Sequence, residues 1–138
     1  MAVLGWRTRG VKVMAFDGDG RLLLVRHRYG RSDLWMLPGG GMGRGESPVA
    51  AAVREVAEET GCRLTDVVPV AVFVSRAEGR RDTVHLMRGA TADRPVADGV
   101  ELAEAGFFAF DALPEGVSPA TARRIAELRG EREVDGVW

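Results

Sequence analysis

The chain has one cysteine, one lysine and two histidines in 138 residues, and each scarcity removes a class of protein. Cys62 alone cannot close an intramolecular disulfide, and its place at a helix exit reads as a small buried hydrophobe rather than a nucleophile. His27 and His85 have no second histidine or cysteine at ligand spacing, so both read as ordinary strand residues. A formal net charge of −1 argues against a protein that holds a nucleic acid duplex by bulk electrostatics. No stretch approaches membrane-spanning length, and residues 1–10 lack an apolar core flanked by a cleavage site. The expected compartment is therefore the cytoplasm, with no membrane partner. Repeats, low-complexity tracts and long linkers are also missing, so residues 1–138 are expected to form one domain with a sizeable core.

What the chain does have is concentrated in residues 40–62. Ser47 is placed to cap a helix with Pro48 at its first position, and Gly61 fits the left-handed residue that ends one. Within that helix Glu55, Glu58 and Glu59 fall on one face, while Val49, Ala52, Val53 and Val56 form an opposite apolar stripe. This predicts an exposed acidic cluster on an anchored helix. Like charges at such spacing repel by roughly 0.2–0.5 kcal/mol per pair, and a divalent cation would remove that cost, because hard cations take carboxylate oxygens. Taken alone, the three glutamates fit a solvated acidic face equally well. Before the helix, Pro38 is followed by Gly39, Gly40, Gly41, Gly43 and Gly45, a run that permits tight turns and close backbone approach to a ligand. Glu46 and Arg54 stand near the two ends of this unit, where an ion pair would hold it in shape.

The flanking pattern supplies a scaffold. Residues 10–16 alternate, 17–20 are a turn, and 22–25 form an apolar run, giving a strand, hairpin and strand. After the helix, 67–75 and 83–88 read as strands around a turn at 78–82, 107–110 as another strand, and 118–128 as a closing helix. Strands interleaved with two helices indicate a mixed β-sheet with helices on its faces.

The segment resembles the signature of the Nudix hydrolases, a glycine, then glutamate, then Arg-Glu-apolar-x-Glu-Glu-x-Gly-apolar at fixed intervals. Gly40, Glu46, Arg54, Glu55, Val56, Glu58, Glu59, Gly61 and Cys62 fill every position, Cys62 standing where the family more often has Ile, Leu or Val. The resemblance implies an α/β fold, the Nudix α/β/α sandwich with a mixed β-sheet between helices. It also implies metal-dependent hydrolysis of a diphosphate linkage in a nucleoside diphosphate derivative. Glu55, Glu58 and Glu59 are then expected to bind Mg2+ or Mn2+ with a backbone carbonyl of Gly39 or Gly40, the latter preferred. Glu55 is the first choice to orient or deprotonate water. Glu46 and Arg54 are expected to support and orient the cluster, Arg54 through ion pairs with carboxylates. Glu101 and Glu104 precede Phe107 where several family members place a further ligand or base, although surface glutamates there need no special role.

Substrate contacts are less sharply written. Arg26, His27, Arg28 and Arg31 gather between the second strand and the glycine run. Arg26 and Arg28, with the Gly39–Gly40 backbone, are the expected phosphate contacts. Because Lys12 is the only lysine, arginine in any one place discriminates weakly. Trp35 and Tyr29 can stack on a base, or Trp35 can pack beneath the loop. Nothing marks the ADP-ribose, dinucleoside polyphosphate, NADH or coenzyme A branches, which leaves a small phosphorylated molecule such as a nucleoside triphosphate as the default. A prenyl diphosphate isomerase would need a pocket cysteine or acid, and Cys62 is badly placed for that. A non-catalytic nucleotide-sensing or interaction domain typically loses one of the acidic residues, and all are present here. Many relatives are homodimers, so Val137 and Trp138 either make an intersubunit contact or fold back on their own chain.

Overall fold

The computed structural model describes residues 6–30, 33–77 and 80–138. Arg31, from the arginine group, and Glu78 and Gly79, from the expected turn, lie outside them. The elements run β1 (Trp6–Phe16), β2 (Leu22–His27), β3 (Trp35–Met36), β4 (Gly39–Gly41), α1 (Pro48–Thr60), β5 (Thr65–Ala77), β6 (Arg80–Ala90), β7 (Leu102–Phe108) and α2 (Pro119–Leu128).

The seven strands form one sheet with the path β3-β2-β1-β6-β5, with β4 joined to β1 and β7 to β2. Only β1 and β6 run parallel; the other pairings are antiparallel. Alternation along β1 divides the core. Val11, Val13 and Ala15 point to one face and pack with Leu23, Met87 and the α1 residues Ala51, Ala52 and Val56. Met14 points to the other face, where Leu22, Leu24, Phe73 and Leu86 meet Ile125 of α2. The result is the expected mixed sheet between two helices. No described helix is long and apolar enough to cross a membrane.

Several strands extend beyond their expected bounds. β5 and β6 form a long hairpin whose cross-strand pairs carry pairing past the apolar runs, with Arg76 opposite Arg81. β7 begins at Leu102 rather than at residue 107, because Asp98 collects the amides of Val100, Glu101 and Leu102 at 2.9 Å each and turns the chain into the strand. The glycine run is not purely a loop either. Gly39, Gly40 and Gly41 form β4, paired with Lys12, Val11 and Gly10. Glycine disfavours strands, and this strand exists because β1 offers its edge and because only glycine permits the approach. A Cβ on Gly39 would lie 2.0 Å from the Val11 carbonyl oxygen.

Residues 137 and 138 fold back on their own chain. Val137 bridges Val74, and the Trp138 ring packs edge-on against Phe73 at 5.5 Å. Arg124, only 1% exposed, lies over both rings at 4.1 and 4.6 Å and is neutralised by Glu127 at 2.8 Å. Cys62 is fully buried, as its sequence position suggested.

Candidate active site

Helix α1 is fixed at both ends by the residues its sequence marks. The Ser47 hydroxyl accepts the Ala50 amide, Pro48 opens the first turn, and Gly61 adopts φ 75° while its amide closes on the Ala57 carbonyl. Its buried face differs from the apolar stripe read from the sequence. Val49 and Val53 are 43% and 37% exposed, whereas Ala51, Ala52, Val56, Glu59 and Thr60 are buried. The helix is rotated so that one of its acids, Glu59, turns inward. The expected exposed cluster is therefore graded. Glu58 has 58% of its side-chain surface exposed, Glu55 13%, and Glu59 as a residue only 7%.

Arg54 organises the outer part. Its Nε and Nη2 make a bidentate pair with Glu46 at 2.7 and 2.8 Å. Nη1 donates to Glu55 at 2.9 Å and Glu58 at 3.2 Å, and Nη2 reaches the Gly41 carbonyl at 2.9 Å. Five donations match the five N–H groups of a guanidinium. Lysine, a point charge, could not reproduce that fork. Glu46 also accepts the Gly43 amide at 2.8 Å. Hydrogen bonds from Arg54, then from Gly43, pull its carboxyl down to about 2. Glu46 and then Glu55 hold the Arg54 proton more firmly than usual.

Glu59 forms the inner part. Its Oε1 accepts the Gly39 amide at 3.2 Å, while Oε2 is buried with no hydrogen-bond partner. Burial pushes its carboxyl up to about 7, with Glu55 adding to the rise and the Gly39 amide and Lys12 opposing it. Lys12 runs in from β1 and donates to the Leu37 carbonyl at 3.2 Å. Its own pKa is lowered by burial, against the attraction of Glu59 and Glu55. Lys12 was not assigned a role from the sequence. The available signal was a solitary lysine within the otherwise apolar stretch 11–16 of β1.

The backbone between these acids corrects one expectation. Gly40 turns its carbonyl toward β1, 3.2 Å from where a Cβ on Gly10 would stand. The Gly39 amide points to Glu59, and strand geometry sends its carbonyl to the same side. Gly39, rather than Gly40, is thus the glycine whose carbonyl faces the acids. Gly40 matters through its missing side chain, since a Cβ there would fall 2.6–2.8 Å from the Glu55 carboxylate.

The donor set suits a hard divalent cation. Carboxylates and a backbone carbonyl are oxygen ligands, Gly40 leaves space at Glu55, and the orphaned Glu59 Oε2 is an acceptor lacking a positive partner. Among the described residues no three acidic, histidine or cysteine side chains stand together in an arrangement that could hold a metal ion. Arg54 instead draws Glu55 and Glu58 toward itself.

The remaining sequence candidates lie elsewhere. Arg26 crosses from β2 to form an ion pair with Glu104 of β7 at 2.5 Å. Arg28 is exposed, and its amide bonds the Glu101 carbonyl. Neither arginine lines the cleft beside Gly40 and Gly41, a space of about 310 Å3 bordered by Thr8, Gly10, Lys12 and Asp82. His27 has its pKa lowered by burial and then by Lys12, with Glu101 and Asp98 opposing. Trp35 packs edge-on against Phe108 at 5.0 Å, and Tyr29 is exposed.

Comparison with known proteins gives the family and the fold. The family model described as NUDIX domain matches residues 6–128, and the chain belongs to that family. A Bacillus subtilis protein provisionally named 8-oxo-dGTP diphosphatase is 32% identical over 130 residues, spanning 93% of this chain and 85% of the relative. An RNA pyrophosphohydrolase of Bartonella bacilliformis is 39% identical over 67 residues, covering 44% of this chain and only 39% of its own length. Among solved structures, the MutT NUDIX hydrolase of Burkholderia pseudomallei superposes with a TM-score of 0.74 at 28% identity, over 87% of this chain and 95% of that one.

Proposed function

We propose that this chain is a Nudix pyrophosphohydrolase that cleaves a diphosphate linkage in a small nucleotide, a nucleoside triphosphate being the first substrate to test. The observation that carries the reading is Glu59, a buried carboxylate with one unsatisfied oxygen beside Glu55, on the helix that carries the family signature. Glu55 and Glu59, with the Gly39 carbonyl, would hold Mg2+ or Mn2+, and Glu58 would join on leaving Arg54. Such a cation supplies Lewis-acid neutralisation of the phosphate oxygens.

The chain's own residues supply positioning. Arg54 fixes the Glu55 carboxylate through a guanidinium itself locked by Glu46 and the Gly41 carbonyl. Glu55, next to the space left by Gly40, is the residue assigned to orient or deprotonate the attacking water. Glu46 and Arg54 act through Glu55 and are positioning residues. The cytoplasm, where such nucleotides are abundant, is the compartment this reading assigns.

The test is release of phosphate or pyrophosphate from a panel: nucleoside triphosphates, 8-oxo-dGTP, nucleotide sugars, ADP-ribose, dinucleoside polyphosphates and a 5′-triphosphorylated RNA oligonucleotide. We expect turnover of at least one member that requires Mg2+ or Mn2+ and falls on the order of 100-fold or more in Glu55→Gln. No release from any member, or release undiminished by chelator, would contradict the proposal.

A further inference from the structure

We infer that Lys12 is a phosphate-binding residue, its ammonium placed to hold an anionic oxygen of the substrate in the cleft lined by β1, β4 and β6. The inference rests on the reading above that the ligand is a phosphorylated molecule.

Lys12 is unusual first in its setting. Alternation along β1 puts it on the same face as Gly10 and Met14, and its stem crosses Gly39, where an added Cβ would come within 3.0 Å of the Lys12 Cδ. The stem therefore has a channel that only glycine leaves open. The same Gly39 donates its amide to Glu59, so one glycine adjoins both the Lys12 stem and the Glu59 carboxylate, and the charges of Glu59 and Glu55 act on Lys12.

Its bonding is incomplete. An ammonium has three donors, and the one hydrogen bond it makes among the described residues is to the Leu37 carbonyl. No described carboxylate forms an ion pair with it; Glu59 and Glu55 act on it only at longer range. Asp82, the acid that lines the same cleft, is in register with Thr8, four residues along β1 from Lys12, or about 13 Å. A partly buried cation with spare donors is costly unless an anion completes it. The cleft of about 310 Å3 against which it lies, walled by Gly40 and Gly41, is where such an anion fits. Arg9 lines the same cleft, and Gly40, on its wall, is the glycine whose added Cβ would meet the Glu55 carboxylate.

The competing role is a countercharge for Glu59 alone, and binding measurements separate the two. Inorganic pyrophosphate with Mg2+ is titrated calorimetrically into the wild type, Lys12→Met and Lys12→Arg, and Mn2+ alone into the same proteins. We expect Lys12→Met to lose about 10–100-fold in pyrophosphate affinity, the worth of a charge-assisted hydrogen bond, and Lys12→Arg to retain most of it. Mn2+ should bind Lys12→Met at least as tightly as the wild type, since a neighbouring cation is gone. Unchanged pyrophosphate affinity in Lys12→Met, or no pyrophosphate binding by the wild type, would overturn the inference. Should Lys12→Met fail to fold, Lys12→Gln reads the same loss of charge. None of these readouts requires turnover. A panel without activity but with Lys12-dependent pyrophosphate binding refutes the hydrolase reading alone, and an active panel with Lys12-independent binding refutes this inference alone.

Discussion

Replacing Glu59 by glutamine in metal-free protein should reveal how much stability the buried acid costs. Its carboxyl rises from 4.5 to about 7 because burial disfavours the charged form. At about 1.4 kcal/mol per unit, a rise of that size corresponds to about 3 kcal/mol. Between pH 4.5 and 7 the unfolded chain loses this proton while the folded one keeps it, so folding becomes less favourable as pH rises. The penalty is absent below pH 4.5 and complete above pH 7. Glutamine can still accept the Gly39 amide and carries no charge to desolvate. Urea denaturation in chelator at pH 5 and pH 8.5 gives the stability difference between variant and wild type at each pH. Because pH 5 already lies inside that window, the difference should shift in favour of Glu59→Gln by about 2.5 kcal/mol on going to the higher pH, or about 9 °C in melting temperature for a domain of this size. Comparing the same pair at two pH values cancels the titrating groups that do not interact with Glu59, Glu55 and Lys12 being the ones that do. A difference that does not change with pH, or that moves toward the wild type, would refute the burial argument.

Other perturbations test separate parts of the account. Arg54→Gln removes the fork that holds Glu46, Glu55 and Glu58, and turnover of the preferred panel substrate should fall on the order of 100-fold through misplacement of Glu55, with near-wild-type circular dichroism. Gly39→Ala drives a methyl into the Val11 carbonyl and the Lys12 stem; a destabilisation of about 3 kcal/mol or more is expected in urea titrations, with β4 separating from β1. Trp138→Ala removes the ring that packs on Phe73 and beneath Arg124, costing about 2 kcal/mol by the same measurement.

Much of this arrangement was legible because its signals are local. Ser47, Pro48 and Gly61 each satisfy a backbone requirement at their own position, so α1 could be bounded without knowing its partners. The turn at Asp17, where one carboxylate collects the Asp19 and Arg21 amides, is equally local. The roles that were missed depend on partners distant in sequence. The inward turn of Glu59 requires the Gly39 amide, and hydrophobicity alone placed the buried face of α1 over Val49 and Val53. Strand β4 is imposed on glycines by the edge of β1. Arg26 looked available for phosphate until β7 brought Glu104 across from it, while Lys12, overlooked as a strand residue, is carried to the acidic centre by the β1–β4 register.

The most direct test of the central claim, that Glu59 and its neighbours form a divalent-cation centre for hydrolysis, is a calorimetric Mn2+ titration of the wild type against Glu59→Gln at pH 7.5. The account predicts saturable binding to the wild type and at least about 10-fold weaker binding to the variant, as expected when a ligand carboxylate is lost. Equal affinity in the two proteins would contradict it.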